Sequence, residues 1–160
     1  MGVSGSGKTT VGSMLAARLG WPYADADAFH PAANVAKMHA GHPLDDTDRE
    51  PWLDAIGAWI DAKTAAGRPA VVSCSALKRA YRERLRTARP NVRLLYLDVD
   101  PETAARRLAA REGHFFPPEL LDSQLRDLEP PGEDEHALRT AAQDTPEGII
   151  DRVLTEGFAA

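Results

Sequence analysis

The residues with the clearest chemical purpose stand at positions 2 to 9. Gly2-Val3-Ser4-Gly5-Ser6-Gly7-Lys8-Thr9 satisfies every fixed position of G-x-x-x-x-G-K-[ST]. Glycines at these spacings let successive backbone N–H groups converge on phosphate oxygens, while the lysine reaches the terminal phosphates and the following hydroxyl is a ligand for Mg²⁺. The loop, with Thr10 beside it, therefore predicts a nucleoside-triphosphate site. A second group follows at Asp25 and Asp27, two carboxylates spaced i, i+2 at the end of a predicted strand. That spacing puts both on one side, where one can hold Mg²⁺ through water and the other can orient a substrate hydroxyl. A pair of capping or loop aspartates has the same spacing, and the phosphate loop upstream tips the reading toward function.

These groups need a scaffold, and the chain spells out most of one. Val11, Met14, Leu15 and Leu19 recur at helical spacing after the loop, and Gly20 stops the run, which argues against a flexible Gly/Ser terminus. Short strands are predicted at 21–27, 70–74 and 92–99, with a weak closing strand over 137–143. Helices are predicted over 50–67, 77–88 and 101–112, from 116 onward, and from 146 to about 154. Alternation of this kind implies right-handed crossovers on a parallel sheet, with ligands at the carboxyl ends of the strands. Only Met1 precedes Gly2, so the strand that normally leads into such a loop is expected to be missing, with neighbouring sheet edges unpartnered and a hole in the core. On that expectation an N-terminal extension of about ten apolar-rich residues raises stability and ATP affinity.

Composition sets the outer bounds. At 160 residues, 43% hydrophobic and 27% charged, the chain is a single globular domain. A net charge of −5 disfavours a nucleic-acid partner. The exception is local: Lys78, Arg79, Arg82, Arg84, Arg86 and Arg89 crowd one segment, read as a solvated helix face relieved by Glu83. The single cysteine, Cys74, excludes an internal disulfide and is read as a small buried hydrophobe in a reducing compartment. No long apolar stretch or signal-like segment is present, so the expected location is cytoplasmic with no membrane partner. The five histidines have no zinc-like spacing with cysteine.

Several separate blocks, in order, carry a more specific message. The run Asp25-x-Asp27-x-x-His30-Pro31-x-x-Asn34-x-x-Lys37-Met38-x-x-Gly41-x-Pro43-Leu44-x-Asp46-x-Asp48-Arg49-x-Pro51-Trp52-Leu53 resembles the signature of the gluconate kinases. Cys74-Ser75-Ala76-Leu77-Lys78 with Tyr81-Arg82 resembles a second block of that family, and Arg111-x-Gly113-His114-Phe115-Phe116 a third. The resemblance spans nearly the whole chain. It implies an α/β P-loop fold like that of the shikimate and nucleoside-monophosphate kinases: a parallel sheet with helices on both faces, a substrate-binding segment over about 27–66 and a mobile lid over about 107–120. It further implies transfer of a phosphoryl group from ATP, with Mg²⁺, to D-gluconate. Family members are often dimers, so a homodimer is allowed.

Carried onto this sequence, the resemblance implies a division of labour. Gly2 to Thr10 cradle the phosphates, Thr9 and Asp25 hold the metal, and Asp27 accepts or orients the proton of the attacking hydroxyl. A sugar acid presents a carboxylate and many hydroxyls, so its pocket calls for a cationic clamp and polar partners. Arg49, Lys78 and His30 are the candidates, with His114 from the lid block. Arg107 and Arg111 lie one helical turn apart and are assigned to the transferring phosphate as the lid closes. The alternatives are a kinase for another small hydroxy acid such as shikimate, or a nucleotide-binding module without catalysis. Two departures stand out: Ala26 where many relatives have Gly, harmless unless that position needs φ > 0, and Arg139 and Gln143 in the weak last strand.

Overall fold

The computed structural model describes residues 1–110, 118–141 and 144–157. Among these the elements run α1 (Lys8–Leu19), β1 (Tyr23–Asp25), α2 (Ala32–His39), α3 (Asp46–Ala65), β2 (Val71–Ser73), α4 (Arg79–Arg86), β3 (Leu95–Asp98), α5 (Pro101–Ala109), α6 (Pro118–Asp127), β4 (Leu138–Ala141) and α7 (Pro146–Thr155). Short 3₁₀ turns span Ala26–Phe29 and Glu133–Glu135.

Both strand pairs are parallel: β1 lies beside β2 with Asp25 opposite Ser73, and β3 beside β4 with Leu95 opposite Leu138. Residues 1 and 2 run between the two pairs. The Gly2 N–H donates to the Ser75 carbonyl just past β2 (3.2 Å), the Leu97 N–H of β3 donates to the Met1 carbonyl (3.0 Å), and the Met1 nitrogen donates to the Leu95 carbonyl. The expected open edge is corrected at this end of the sheet. Successive residues of an extended chain present their N–H and C=O groups to opposite neighbours, so Met1, bonded to β3, and Gly2, bonded to the segment after β2, suffice to join the two pairs beside the loop. Val3, 1% exposed, then fills the core between Leu77, Val99, Ala104 and Leu108.

The sheet buries both faces, as the apolar run at 70–74 requires. Successive residues of β2 point opposite ways: Val71 packs with Val11 and Leu15 of α1 and with Ile149, Ile150 and Val153 of α7. Val72 packs with Trp52, Leu53 and Ile56 of α3 and with Tyr81 and Leu85 of α4. The weak last strand is real and runs over Leu138–Ala141, with Gln143 outside the described residues. Leu138 and Thr140 are buried while Arg139 faces out and pairs with Asp98 at 2.6 Å, so an arginine there suits an edge strand.

One boundary and one helix differ from the sequence-based expectation. Helix α3 begins at Asp46 rather than near residue 50, because Asp45 and Asp48 form a reciprocal capping box: each carboxylate accepts the other's backbone N–H at 2.9 Å. Pro51 therefore lies inside the helix rather than in its first turn. Helix α2 was not expected at all; its apolar positions are few, and Asn34 is its one buried residue.

Candidate functional site

The phosphate loop is built around close backbone approaches. Gly5 has φ +80°, and a Cβ there would stand 2.6 Å from the Ala104 carbonyl oxygen of α5, so only glycine lets the loop lie against that helix. Gly7, also left-handed at φ 93°, turns the chain into α1 without any side-chain cap. By contrast, Asp100 caps α5 and Thr145 caps α7 with side-chain oxygens. An uncapped helix start whose N–H groups follow a glycine loop is suited to anionic oxygens. Lys8 folds back to donate to the Val3 carbonyl at 2.8 Å, and Arg107 of α5 reaches the Gly5 carbonyl at 3.4 Å. Two predicted phosphate-binding cations thus already touch the loop.

The carboxylate pair sits at the end of β1. The Asp25 Oδ1 accepts the Asp27 N–H at 3.1 Å, starting the 3₁₀ turn, and its Oδ2 accepts the Thr9 hydroxyl at 3.0 Å. Asp25 is therefore both a capping residue and the partner of the loop hydroxyl. A hydroxyl and a carboxylate oxygen in contact beside the phosphate cradle are the hard oxygen donors that Mg²⁺ prefers, so the residues present fit that ion. The turn is fixed from beneath: Trp52 Nε1 donates to the Ala26 carbonyl at 2.7 Å. Ala26 is fully buried among Trp52, Leu53 and Ile56 and is not among the positive-φ residues, so its methyl is accommodated.

Beyond the turn, aromatic and charged side chains make a polar wall. His30 stacks on Trp52 with centroids 4.5 Å apart and planes 8° off parallel, and its Nδ1 lies 3.4 Å from Asn34 Nδ2. Burial, then the positive charge of Arg49, pushes the His30 pKa down to about 4. The imidazole is therefore neutral at physiological pH and falls among the polar partners rather than the cations of the expected pocket. Arg49, 9% exposed, lies over the Tyr81 ring at 5.6 Å, donates weakly to the Leu44 carbonyl at 3.4 Å and stands 3.9 Å from Asp127. Lys78 also approaches the Tyr81 ring and forms a 2.6 Å ion pair with Asp46, which accepts the Tyr81 hydroxyl as well. Those bonds, Lys78 first, hold the Asp46 carboxyl below the usual range. A pocket of about 270 Å³ opens here, lined by Leu44, Asp46, Lys78, Ser123 and Asp127 among others. The nucleotide cradle thus meets the carboxyl end of β1 through the Thr9–Asp25 oxygen pair, and the charged pocket is lined largely from segments that follow β1 and β2.

Residues 1–131 match the AAA domain family. The gluconokinase of Gluconobacter oxydans is 47% identical over 154 residues, which cover 96% of this chain and 86% of that one. The chain belongs to the gluconokinase family. Two solved structures match it in shape as well: a sugar kinase from a Janibacter species, with TM-score 0.93 and 46% identity over 100% of this chain and 92% of that one, and a gluconokinase from Sinorhizobium meliloti, with TM-score 0.88 and 41% identity over 99% and 90%. This membership accounts for the P-loop fold and for kinase chemistry on a nucleotide.

Within this gluconokinase-family chain, most of the predicted site residues meet. Thr9 meets Asp25, Lys8 and Arg107 meet the loop, and His30, Arg49 and Lys78 line one wall through Trp52 and Tyr81. Thr10 lies exposed in the first turn of α1, its carbonyl accepting the Ser13 hydroxyl at 3.1 Å. Arg111 and His114 fall outside the described residues. Sequence reasoning missed Gln124 of α6, whose Oε1 accepts the Ser4 N–H of the phosphate loop at 2.6 Å. One glutamine on a helix carries no local signal, and only the packing of α6 on α5 brings it there. The basic segment is ion-paired: Arg79 with Asp134, Arg82 with Glu135, Arg84 with Asp54 and Arg89 with Asp61, at 2.6 to 2.8 Å. Cys74 is buried, and that burial pushes its thiol up to about 11, the behaviour of a small hydrophobe. Among the described residues no helix is long and apolar enough to cross a membrane.

Proposed function

We propose that the protein transfers the γ-phosphoryl group of ATP to the 6-hydroxyl of D-gluconate, giving 6-phospho-D-gluconate. The observation that carries this reading is the joining of the Thr9–Asp25 oxygen pair, through the Asp25–Asp27 turn and Trp52, to the wall formed by His30, Arg49, Lys78 and Tyr81. A sugar acid has a carboxylate for the cations and hydroxyls for the neutral imidazole, and the curated relative from Gluconobacter carries the name of that activity.

Phosphoryl transfer asks the protein for positioning and charge stabilisation rather than covalent work. Within the loop over residues 2–10 the N–H groups of Gly2, Ser4 and Ser6 bond to Ser75, Gln124 and Val3 and set its shape, those from Gly7 onward hold the phosphates, and Lys8 leaves the Val3 carbonyl to meet the terminal ones. Thr9 and Asp25 hold Mg²⁺, which when bound neutralises phosphate charge. Asp27, exposed at the start of the 3₁₀ turn, accepts or orients the proton of the attacking hydroxyl. Arg49 and Lys78 receive the gluconate carboxylate, Lys78 exchanging its Asp46 partner for it, and His30 binds a hydroxyl. Residues 27–66 form the substrate segment; Arg107 acts from α5, where it already reaches the Gly5 carbonyl, and Arg111 and His114 of the lid block are assigned to the transferring phosphate and the substrate. Lys8→Ala and Asp27→Asn are each expected to cut kcat by at least about 100-fold, whereas Arg49→Ala raises the gluconate KM about 10- to 100-fold through loss of a charge-assisted bond. Unaltered turnover in Lys8→Ala refutes the assignment.

A further inference from the structure

The face of the sheet beneath α1 holds a polar chain that ends on Asp25. Tyr23 and Asp25 are two residues apart on β1 and so share a face, and Ser73 is the register partner of Asp25 on β2. The Tyr23 ring fits under α1 only because residue 12 is glycine: a Cβ there would stand 3.0 Å from Tyr23 Cε2 and 3.7 Å from Ser73 Cβ. The Tyr23 hydroxyl lies 2.8 Å from Ser73 Oγ and 3.4 Å from Asp25 Oδ2.

Proton counting couples the two bonds of this chain. An ionised carboxylate only accepts, and a phenol has one proton to give. If that proton goes to Asp25, the buried Ser73 hydroxyl must donate to the phenol oxygen. The Asp25 carboxylate is then held from three sides, by the Asp27 N–H on Oδ1 and by the Thr9 and Tyr23 hydroxyls on Oδ2. Of these groups Tyr23 alone belongs to neither the phosphate loop nor the 3₁₀ turn.

We propose that Tyr23, backed by Ser73, is a positioning residue: it locks the Asp25 carboxylate in the orientation that faces Thr9 and so raises affinity for a divalent cation. The proposal rests on the reading of Thr9 and Asp25 as metal-holding residues. Outer hydrogen bonds of this kind orient ligands and tune the affinity of metal sites. The Tyr23 hydroxyl meets Ser73 and Asp25 and also interacts with the Thr9 hydroxyl that shares Asp25 Oδ2, so its effect is exerted on the Thr9–Asp25 pair and not on the substrate.

The test is a Mn²⁺ titration followed by electron paramagnetic resonance of the free ion, with a non-hydrolysable ATP analogue bound and no gluconate present. Tyr23→Phe keeps the ring under Gly12 and removes only the hydroxyl; it is expected to weaken Mn²⁺ binding about 3- to 10-fold, the worth of one hydrogen bond. Metal-free analogue binding and the gluconate KM at saturating metal stay as in the wild type, and kcat recovers when the metal concentration is raised. Ser73→Ala weakens Mn²⁺ binding less and adds nothing in the Tyr23→Phe background. Asp25→Asn serves as the reference and is expected to lose the protein's share of Mn²⁺ binding, so that the free-ion resonance approaches that seen with the analogue alone. If Asp25→Asn binds Mn²⁺ like the wild type, the metal assignment itself fails and the proposal with it. If Asp25→Asn loses the ion while Tyr23→Phe binds it normally, the metal assignment stands and the positioning role of Tyr23 is overturned.

Discussion

The buried Arg82–Glu135 pair offers a sharp quantitative test of what holds the substrate wall in place. Arg82 is 1% and Glu135 3% exposed, and their fork-to-fork contact has N–O distances of 2.6 and 2.7 Å. The remaining Arg82 nitrogen, Nη1, donates to the carbonyls of Ala76 (3.2 Å) and Leu77 (2.8 Å), and the Gly132 N–H donates to Glu135 Oε1 (3.0 Å). The pair therefore ties α4 to the turn at Glu133–Glu135 and to the segment that leads into Lys78. Glu135→Gln keeps the shape and an acceptor for Gly132 but strands a buried guanidinium charge. Breaking a pair of this kind by removing one charge costs about 3–5 kcal/mol. For a domain of this size that lowers Tm by roughly 6–20 °C, at about 2–4 °C per kcal/mol. The bond from Arg82 holds the Glu135 carboxyl below its ordinary value of 4.5. Its stabilisation is therefore complete above that value and is lost as pH falls through the lowered folded-state pKa. The gap between wild type and Glu135→Gln in urea melts should close in strong acid. Arg82→Met combined with Glu135→Leu, which removes both charges, should recover much of the loss. A Glu135→Gln variant within about 1 kcal/mol of wild type at pH 7 would refute the reasoning, since that is the scale of an exposed pair.

Two further outcomes follow from single residues. His30 has a folded-state pKa near 4 against an ordinary 6.5, so the unfolded chain binds the extra proton between those values and stability falls as pH drops from 6.5 toward 4. After discounting for its partial exposure this slope amounts to roughly 1 kcal/mol, and His30→Gln should flatten it in melts at pH 4.5 and 7; an unchanged slope contradicts the neutral imidazole. Gly5→Ala places a methyl 2.6 Å from a backbone oxygen at φ +80°. It should lose at least about 1–2 kcal/mol of stability from the left-handed backbone alone and weaken ATP-analogue binding in calorimetry, and full retention of both would contradict the tight loop.

How much of this was legible in the residues depended on whether the signal was local. The glycine loop, Lys8 and Thr9 announce themselves because their function needs fixed spacing, and the Asp25–Asp27 pair because two residues on a strand share a face. The strands at 71–73 and 95–98 were visible as apolar runs, since both faces of the sheet are covered. The start of α3 was missed because an aspartate pair makes a capping box that the eye passes over in an acidic segment. The charge state of His30 was also out of reach: neutrality comes from Trp52 and Arg49, brought in by α3. Gln124 and Tyr23 carry meaning only through contacts made across the fold, and the joining of the two strand pairs by Met1 and Gly2 is a property of the assembled sheet.

The central claim is tested most directly by ADP release coupled to an indicator reaction, with D-gluconate, related sugar acids and shikimate offered in turn alongside ATP and Mg²⁺. The account predicts brisk release with gluconate, a product phosphorylated at the 6-hydroxyl by phosphorus NMR, and little release with shikimate. Release with shikimate but not with gluconate, or ATP binding with no acceptor-dependent release at all, would contradict it.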